Sequence, residues 1–352
     1  MNIYDVAREA NVSVATVSRV LNNHKNVKES TRKKVMDVIK GKDFVPNSAA
    51  KNLSMGESRN IALIVPDIEN PFFAKLLHGL SDQAIEFGYN VFMFGTDEDP
   101  EREQQILESL KSELLKGLVM IPVSEDSENT KVLLNRFREA SAPVVLIDRD
   151  VRGGDFDGVF SQDDEGAFNA VECLIKAGHR RIAIIRGSDT SRPGYERYRG
   201  YKKALAKYDI ELRKEYCPYG DFMEENSYQA MKKLMSLENP PTAVFSSNNM
   251  TTLGCLRYFK ENNLKIGRDI SIVGFDDIKE LRYTDIDLTV VDRPVYEMGV
   301  EAMKLLRKAI ETRDNTDEEG LFVKRNFIKT RLIKRGSEFC EKLGNSASRE
   351  SD

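Results

Sequence analysis

The chain has 352 residues, of which 40% are hydrophobic and 31% are charged, and its formal net charge is −4 at pH 7. That length exceeds the usual size of one domain, so we expect two or three globular units. No apolar run approaches the ~20 residues that a membrane-spanning helix needs, and the acidic N-terminal segment has no signal-peptide core. We therefore expect a cytoplasmic protein without a membrane partner.

The composition offers little material for enzymatic chemistry. Three histidines and four widely spaced cysteines without a CxxC pair do not make a typical metal site. The sequence also lacks the phosphate-binding motif GxxxxGKS/T, a GxGxxG after the first predicted strand, HExxH and the nucleophile motif GxSxG. We expect no enzyme, no metal and no cofactor.

Residues 2–58 predict three short helices and a fourth after a proline. In Ile3–Ala10 and Val14–Leu21, apolar residues recur at helical spacing, and Asn11 and Ser13 between them suit a helix end and a helix start. With its valines buried, the second helix keeps an outward face of short residues and one long basic side chain, at Ser13, Ala15, Thr16, Ser18 and Arg19. Such a face suits a helix lying in the major groove of DNA, with a three-helix bundle of ordinary polar surface as the alternative.

Charge favours the DNA-binding interpretation. Residues 1–60 hold 11 lysines and arginines against six acidic residues, a net charge of +5, whereas the other 292 residues carry −9. Net positive charge is thus confined to the segment that would meet phosphate.

After residue 59, strands alternate with helices. A first series is predicted at Ile61–Val65, Pro71–Phe87, Val91–Phe94, Glu101–Leu115, Gly117–Ile121, Asn129–Ala140 and Val144–Ile147. A second series is predicted at Ala167–Ala177, Ile182–Ile185, Glu196–Lys207, Glu225–Met235, Ala243–Phe245, Met250–Asn262 and Ser271–Phe275. Because the strands are uniformly apolar, we expect parallel sheets covered on both faces, in two α/β lobes that enclose a cleft.

Ligands of such sheets bind where the strands end. Polar, charged and aromatic residues recur at these ends, in 67–73, 148–150, 192–200, 247–249 and 274–277. Carboxylates, amides, guanidinium groups and aromatic rings are what a carbohydrate site needs.

Three motifs in the first segment resemble the DNA-binding headpiece of the lactose/galactose repressor family of bacterial transcription regulators. They are DVAREANVSVATVSRVLN, VKESTRKKV and FVPNSAAKNLS. The resemblance implies a homodimer on a palindromic operator, with base or phosphate contacts from Ser13, Val14, Ala15, Thr16, Ser18, Arg19 and Asn26. It also implies a hinge helix in the minor groove, with contacts from Asn47, Ala50 and the wedge residue Leu53.

The same resemblance sets the expected domains. They are a helix-turn-helix headpiece at 1–46, a hinge helix and linker at 47–59, an effector-binding and dimerisation domain at 60–335, and a disordered tail at 336–352. Because related sugar-binding folds cross between lobes several times, we expect a first lobe of about 60–160 plus 290–320. The second lobe then takes about 161–289 plus 321–335.

By resemblance, nine residues of the cleft hold the effector: Asn70, Phe72, Phe73, Asp148, Arg149, Arg197, Asn248, Asp276 and Arg293. Two positions depart from the family pattern, since Asn249 stands where an acidic residue is usual and Arg293 where glutamine is common. Three guanidinium groups around one ligand would suit an anion such as a sugar acid or sugar phosphate. Alternatively, the arginines pair with nearby aspartates.

The sequence therefore predicts a repressor of carbohydrate-use genes controlled by a small sugar-type effector. The headpiece is also similar to that of catabolite-control regulators, which respond to a phosphorylated carrier protein. A partner of that kind is the alternative.

Overall fold

A computed structural model describes residues 2–21, 24, 26–41, 58–315 and 323–341, and the chain forms two compact units, residues 1–58 and 59–352. The predicted hinge helix at 47–53 and residues 342–352 of the predicted tail lie outside the described residues. No helix among those described is long and apolar enough to cross a membrane.

The first unit contains the three predicted helices, α1 Ile3–Glu9, α2 Val14–Leu21 and α3 Glu29–Gly41. Asn2 and Asp5 form a reciprocal capping box at the start of α1, and Asn11 ends that helix with a φ of 50°. A small core includes Val17 and Val20 of α2. The expected helix-turn-helix arrangement of α1 and α2 is confirmed.

The second unit contains eleven described strands in two sheets. The first sheet has the order β10-β5-β4-β3-β1-β2 and is parallel throughout, and the second has the order β11-β9-β8-β7-β6 with only β11 antiparallel. The strands are β1 Asn60–Val65, β2 Asn90–Gly95, β3 Gly117–Met120, β4 Val144–Ile147, β5 Asp157–Ser161, β6 Ile182–Ile185, β7 Ala243–Ser246, β8 Ser271–Phe275, β9 Thr289–Asp292, β10 Arg325–Ile328 and β11 Arg331–Ile333. Each sheet has a buried apolar cluster on both faces, as predicted for parallel strands.

Within the described residues, eight helices cover these sheets: α4 Pro71–Glu86, α5 Pro100–Leu110, α6 Glu128–Glu139, α7 Asp163–Lys176, α8 Arg192–Lys207, α9 Glu224–Met235, α10 Asn249–Glu261 and α11 Val295–Asn315. Two of them, α4 and α11, cross at small residues. A Cβ on Gly79 would lie 2.0 Å from the carbonyl oxygen of Tyr296, and one on Gly299 would lie 2.2 Å from that of Leu76. Glycine at both positions therefore allows the two backbones to touch.

The late elements correct the predicted lobe boundaries. β9 belongs to the second sheet, although residues 290–320 were expected in the first lobe. β10 belongs to the first sheet, although residues 321–335 were expected in the second lobe. Only α11 returns as expected, since Met298, Met303 and Leu306 enter the core of the first lobe. The chain therefore crosses between lobes after β5, after β9 and between β10 and β11.

The predicted tail begins too early. Residues 336–341 pack on the second lobe, where Ser337 and Glu338 are buried and the Ser337 hydroxyl donates to the carbonyl oxygen of Ile272 at 2.6 Å. The Nε2 of buried His179 lies 3.1 Å from the carbonyl oxygen of Glu338, which can only accept, so Nε2 carries the hydrogen. Polar side chains bury here because each has a partner, a feature that low hydrophobicity does not reveal.

Candidate functional site

The headpiece presents most of the predicted DNA-binding side chains on one helix and the turn before it. Ser13 accepts a hydrogen bond from the backbone N–H of Thr16 at 3.2 Å and so caps α2. Its neighbours Ala15 and Arg19 are exposed. Val14, Thr16 and Ser18 are half-buried and Asn26 is exposed, whereas Asn47, Ala50 and Leu53 lie outside the described residues.

One side chain from α3 fixes the end of this helix. The Nη2 of Arg32 donates to the carbonyl oxygen of His24 at 2.9 Å, and its Nη1 lies 3.4 Å from that of Val20. A cation at a helix C-terminus satisfies carbonyl groups that have no partner within the helix. The exposed face of α2 is thus held in place by its own unit.

The second unit contains a cleft of about 520 Å³ at the carboxyl ends of its strands. All nine predicted effector residues line it, together with side chains from both lobes that the prediction did not include. This volume is within the usual range for small-molecule sites, about 300–1,000 Å³. The structure therefore brings the predicted residues together in one place.

Asn70 and the two phenylalanines form the first-lobe wall at the start of α4. The Asn70 side chain accepts from the backbone N–H of Phe72 at 3.0 Å, while Pro71 occupies the first helical position, where its missing N–H costs nothing. Phe72 and Phe73 pack edge to face with ring centres 5.0 Å apart. The helix start thus presents one amide and one aromatic pair to the cleft.

Two aspartates occupy equivalent turns in the two lobes. Asp148 follows β4 and Asp276 follows β8, with φ angles of 63° and 68°, and each donates its backbone N–H to the neighbouring strand, at Val159 and Val291. A left-handed backbone is uncommon outside glycine, although aspartate tolerates it better than most residues. These turns direct both carboxylates into the cleft, where each residue is over 90% buried.

Arg293 lies between those two aspartates. Its Nε and Nη2 donate to both oxygens of Asp276 at 2.7 and 2.9 Å, and its Nη1 donates to Asp148 and to the Ser161 hydroxyl. Burial alone would raise the pKa of Asp148, but the charges of Arg293, Arg197 and Arg149 outweigh it and keep that pKa below its ordinary value. Asp148 thus stays ionised and paired with Arg293.

The other two cleft arginines are also paired. Arg149 makes a bidentate ion pair with Glu98 at 2.7 and 2.6 Å. Arg197 donates to the Ser247 carbonyl at 2.6 Å and to Asp163 at 3.2 Å. The Nε atoms of both arginines are buried without a hydrogen-bond partner in the described structure.

These pairs remove the argument for an anionic effector. The three arginines face four carboxylates, those of Glu98, Asp163 and the two turn aspartates, so no uncompensated positive cluster exists among the described residues. Of the residues lining the cleft, nine are acidic and four are arginines. The structure therefore shows the alternative in which the arginines pair with carboxylates. Asp150, which also follows β4, pairs with Arg325 and not with one of the three cleft arginines.

Comparison with known proteins decides the family. Residues 2–47 match the family described as "Bacterial regulatory proteins, lacI family", and residues 171–338 match the "Periplasmic binding protein-like domain". The chain is 33% identical over 319 residues to Catabolite control protein A of Priestia megaterium, covering 90% of this chain and 95% of that protein. The chain belongs to the lacI family of bacterial regulatory proteins.

Solved structures of other transcription regulators have the same fold. The transcriptional regulator CelR in complex with cellobiose has a TM-score of 0.71 and 26% identity, with 96% of this chain and 99% of that chain covered. The Lac repressor dimer bound to operator and the anti-inducer ONPF has a TM-score of 0.81 with the same coverage, and its 22% identity supports the fold alone. This lacI-family chain is a DNA-binding transcriptional regulator and not an enzyme.

Sequence reasoning missed two partners of the cleft arginines and one contact between the lobes. Glu98 and Asp163 were not predicted, because neither directly follows one of the strands that the sequence revealed. Across the cleft, the Asn249 side-chain N–H donates to the Asn70 amide oxygen at 2.8 Å. The sequence had marked Asn249 as a polar strand-end residue and as a departure from the family pattern, but not as a contact between the lobes.

Proposed function

We propose that this protein represses genes of carbohydrate use as a cytoplasmic homodimer on a palindromic operator, under the control of a neutral, sugar-type effector. The observation that carries the proposal is the convergence of nine strand-end and helix-start residues in one cleft, in a chain that also has a helix-turn-helix unit. The match of residues 2–47 to the lacI-family model supports operator binding by the first unit.

In the proposed DNA complex, α2 lies in the major groove and Arg19 reads a base. Removing a base-reading arginine costs about 1–3 kcal/mol and relaxes discrimination at one base pair. Gel shifts against operators selected from random DNA, followed by single-base variants, test the Arg19→Ala protein.

The matched control is Arg8→Ala, which removes the same charge from an exposed residue on α1. Its effect should be small and uniform across the single-base variants. An Arg19→Ala protein that keeps full affinity and full discrimination contradicts the proposed role. Leu53→Ala, at the proposed wedge, should weaken operator binding through reduced DNA bending, measured by circular-permutation gel shift.

The proposed effector is neutral because the cleft offers no spare positive charge. Its polar groups are amides, paired guanidinium groups and carboxylates, beside the aromatic side chains that line the cleft, which together suit a polyhydroxylated ring. The structural neighbour CelR, solved in complex with cellobiose, supports a sugar-type effector. Calorimetric titration with neutral pentoses, hexoses and cellobiose, and with uronates and sugar phosphates, decides the class. Binding of anionic sugars alone contradicts the proposal.

Effector binding would control DNA affinity through the angle between the lobes. Such coupling between two sites is typically ~1–3 kcal/mol, or about 5- to 150-fold in affinity. Operator binding measured with and without the sugars that bind gives both its size and its sign. An effector that leaves operator affinity unchanged contradicts this part of the proposal.

A phosphorylated carrier protein is the alternative partner, favoured by the 33% identity to a catabolite control protein. A pull-down with the serine-phosphorylated carrier, with the unphosphorylated carrier as control, separates the two cases. Phosphorylation-dependent capture together with no sugar binding would favour the alternative.

A further inference from the structure

Arg293 occupies carboxylate oxygens and an aromatic ring that a carbohydrate site would otherwise present to its ligand. Three of the four carboxylate oxygens of Asp148 and Asp276 accept hydrogen bonds from this one guanidinium group. The group also lies over the Phe72 ring, 4.3 Å from its centre, and 5.5 Å from the centre of the Phe275 ring. Carboxylates at the edges and aromatic rings at the faces are the usual surroundings of a bound sugar.

The site around Arg293 is built rigidly. The residue is 3% exposed, and both aspartates are held by left-handed turns whose N–H groups are bonded to adjacent strands. Burial would lower the pKa of Arg293, but the charges of Asp276 and Asp148 outweigh it and raise that pKa above its ordinary value. The guanidinium group therefore stays charged and paired throughout the physiological pH range.

Space for a ligand persists beside this occupied subsite. The cleft of about 520 Å³ is measured with Arg293 in place. Its other polar walls come from both lobes, at Asn70, Arg149, Arg197, Asn248 and Asn249. Asn248 is partly committed, since it caps α10 through the N–H of Thr251 at 2.7 Å.

We propose that Arg293 is the residue that determines effector specificity, because it acts as a built-in occupant of the subsite formed by Asp148 and Asp276. The effector then binds in the remaining space, against the amides and the two other arginines, and does not use these two aspartates. This inference rests on the proposed function. Because Arg293 already fills the subsite of Asp148 and Asp276, the cleft accepts only sugars that bind without a hydrogen bond to either carboxylate.

A shorter, neutral side chain should open the subsite. In the Arg293→Gln protein, one amide can donate to only some of the oxygens that the guanidinium group now occupies, so sugar hydroxyl groups gain carboxylate acceptors. We expect at least tenfold tighter binding of one or more neutral sugars in a calorimetric panel of ribose, glucose, galactose and cellobiose, with a changed order of preference. The matched control is Arg307→Gln, on the exposed side of α11, which should leave the panel unchanged.

A second variant tests the occupancy without any sugar. Arg293→Ala in the full chain leaves a cavity between two carboxylates, and this variant should melt at a lower temperature than the parent. Millimolar methylguanidinium chloride should restore part of the lost melting temperature in Arg293→Ala and not in the parent protein. Methylammonium chloride at the same concentration should restore less, because it cannot bridge two carboxylates in a plane.

The outcomes separate this inference from the proposed function. An unchanged panel in a folded Arg293→Gln protein overturns the specificity role, and so does a sugar-bound crystal structure in which Asp148 or Asp276 has exchanged Arg293 for a sugar hydroxyl. Equal effects of methylguanidinium and methylammonium on Arg293→Ala overturn the bridging role. If methylguanidinium restores the stability of Arg293→Ala but neither the parent nor Arg293→Gln binds any sugar, the result supports the occupied subsite. The same result overturns the proposal that the effector is a sugar.

Discussion

Two ion pairs join the same helices, α7 and α8, in very different surroundings. Arg197 and Asp163 lie 3.2 Å apart, with both side chains 2% exposed. Lys203 and Asp164 lie 2.6 Å apart, with the lysine 58% exposed. The two pairs therefore allow a direct comparison of a buried and an exposed ion pair within one lobe.

The two truncations should differ several-fold in cost. Among the described residues, Arg197→Ala leaves buried Asp163 with the Ser161 hydroxyl as its one side-chain donor. It also removes a guanidinium group 3.8 Å from the centre of the Phe275 ring. Breaking a buried pair from one side typically costs about 3–5 kcal/mol. Lys203→Ala should cost about 0–1 kcal/mol, because exposed pairs are screened by water and salt.

Urea unfolding monitored by circular dichroism measures the loss in free energy of unfolding for each variant. The transition to analyse is that of the α/β unit, which gives most of the signal. A double-mutant cycle with Asp163→Ala isolates the pairwise energy, which should be large for the buried pair. Equal losses for Arg197→Ala and Lys203→Ala, or a coupling energy near zero in the cycle, would refute this reasoning.

Three further changes should have separable effects. Asn249→Ala removes the amide contact with Asn70 and should favour an open cleft by about 1–2 kcal/mol, seen as a larger radius of gyration in X-ray scattering; an unchanged radius contradicts this. Gly79→Ala places a Cβ against the Tyr296 carbonyl and should cost about 1–3 kcal/mol in urea unfolding, whereas a neutral effect would show that α4 and α11 separate freely. Burial raises the pKa of Glu196 from 4.5 to about 7, so the parent should lose stability as pH rises through that interval. Glu196→Gln should flatten this dependence, and parallel curves would contradict the assignment.

The sequence predicted strands best where their residues form a largely apolar run. β4, β6 and β8 have the predicted bounds, because their continuous apolar residues leave no ambiguity of period. β5, β10 and β11 were not predicted. β5 begins with an aspartate and a glycine, which weakens its apolar signal, while β10 and β11 are edge strands of mixed polarity whose stability comes from pairing with distant partners.

The composition of the cleft was predictable, and its electrostatics were not. Polar residues after strands predicted the lining, because parallel strands bring their carboxyl ends to one edge. The partner of each arginine depends on distances between residues far apart in the chain. Arg149 reaches Glu98 across 51 positions, and Arg293 reaches Asp148 across 145. No local pattern records such pairs, so the sequence alone left both the anionic and the paired interpretations open.

The three crossings between the lobes have a mechanical consequence. Each is only a few residues long, and one of them is residues 293–294, between β9 and α11. A rotation of one lobe against the other therefore requires changes in the backbone torsions of these three segments, which act as hinges. Since Arg293 lies in one of these hinges, a backbone rotation there would move its guanidinium group relative to Asp148 of the first lobe and Asp276 of the second. Arg293 is thus both a hinge residue between the lobes and the side chain that fills part of the cleft.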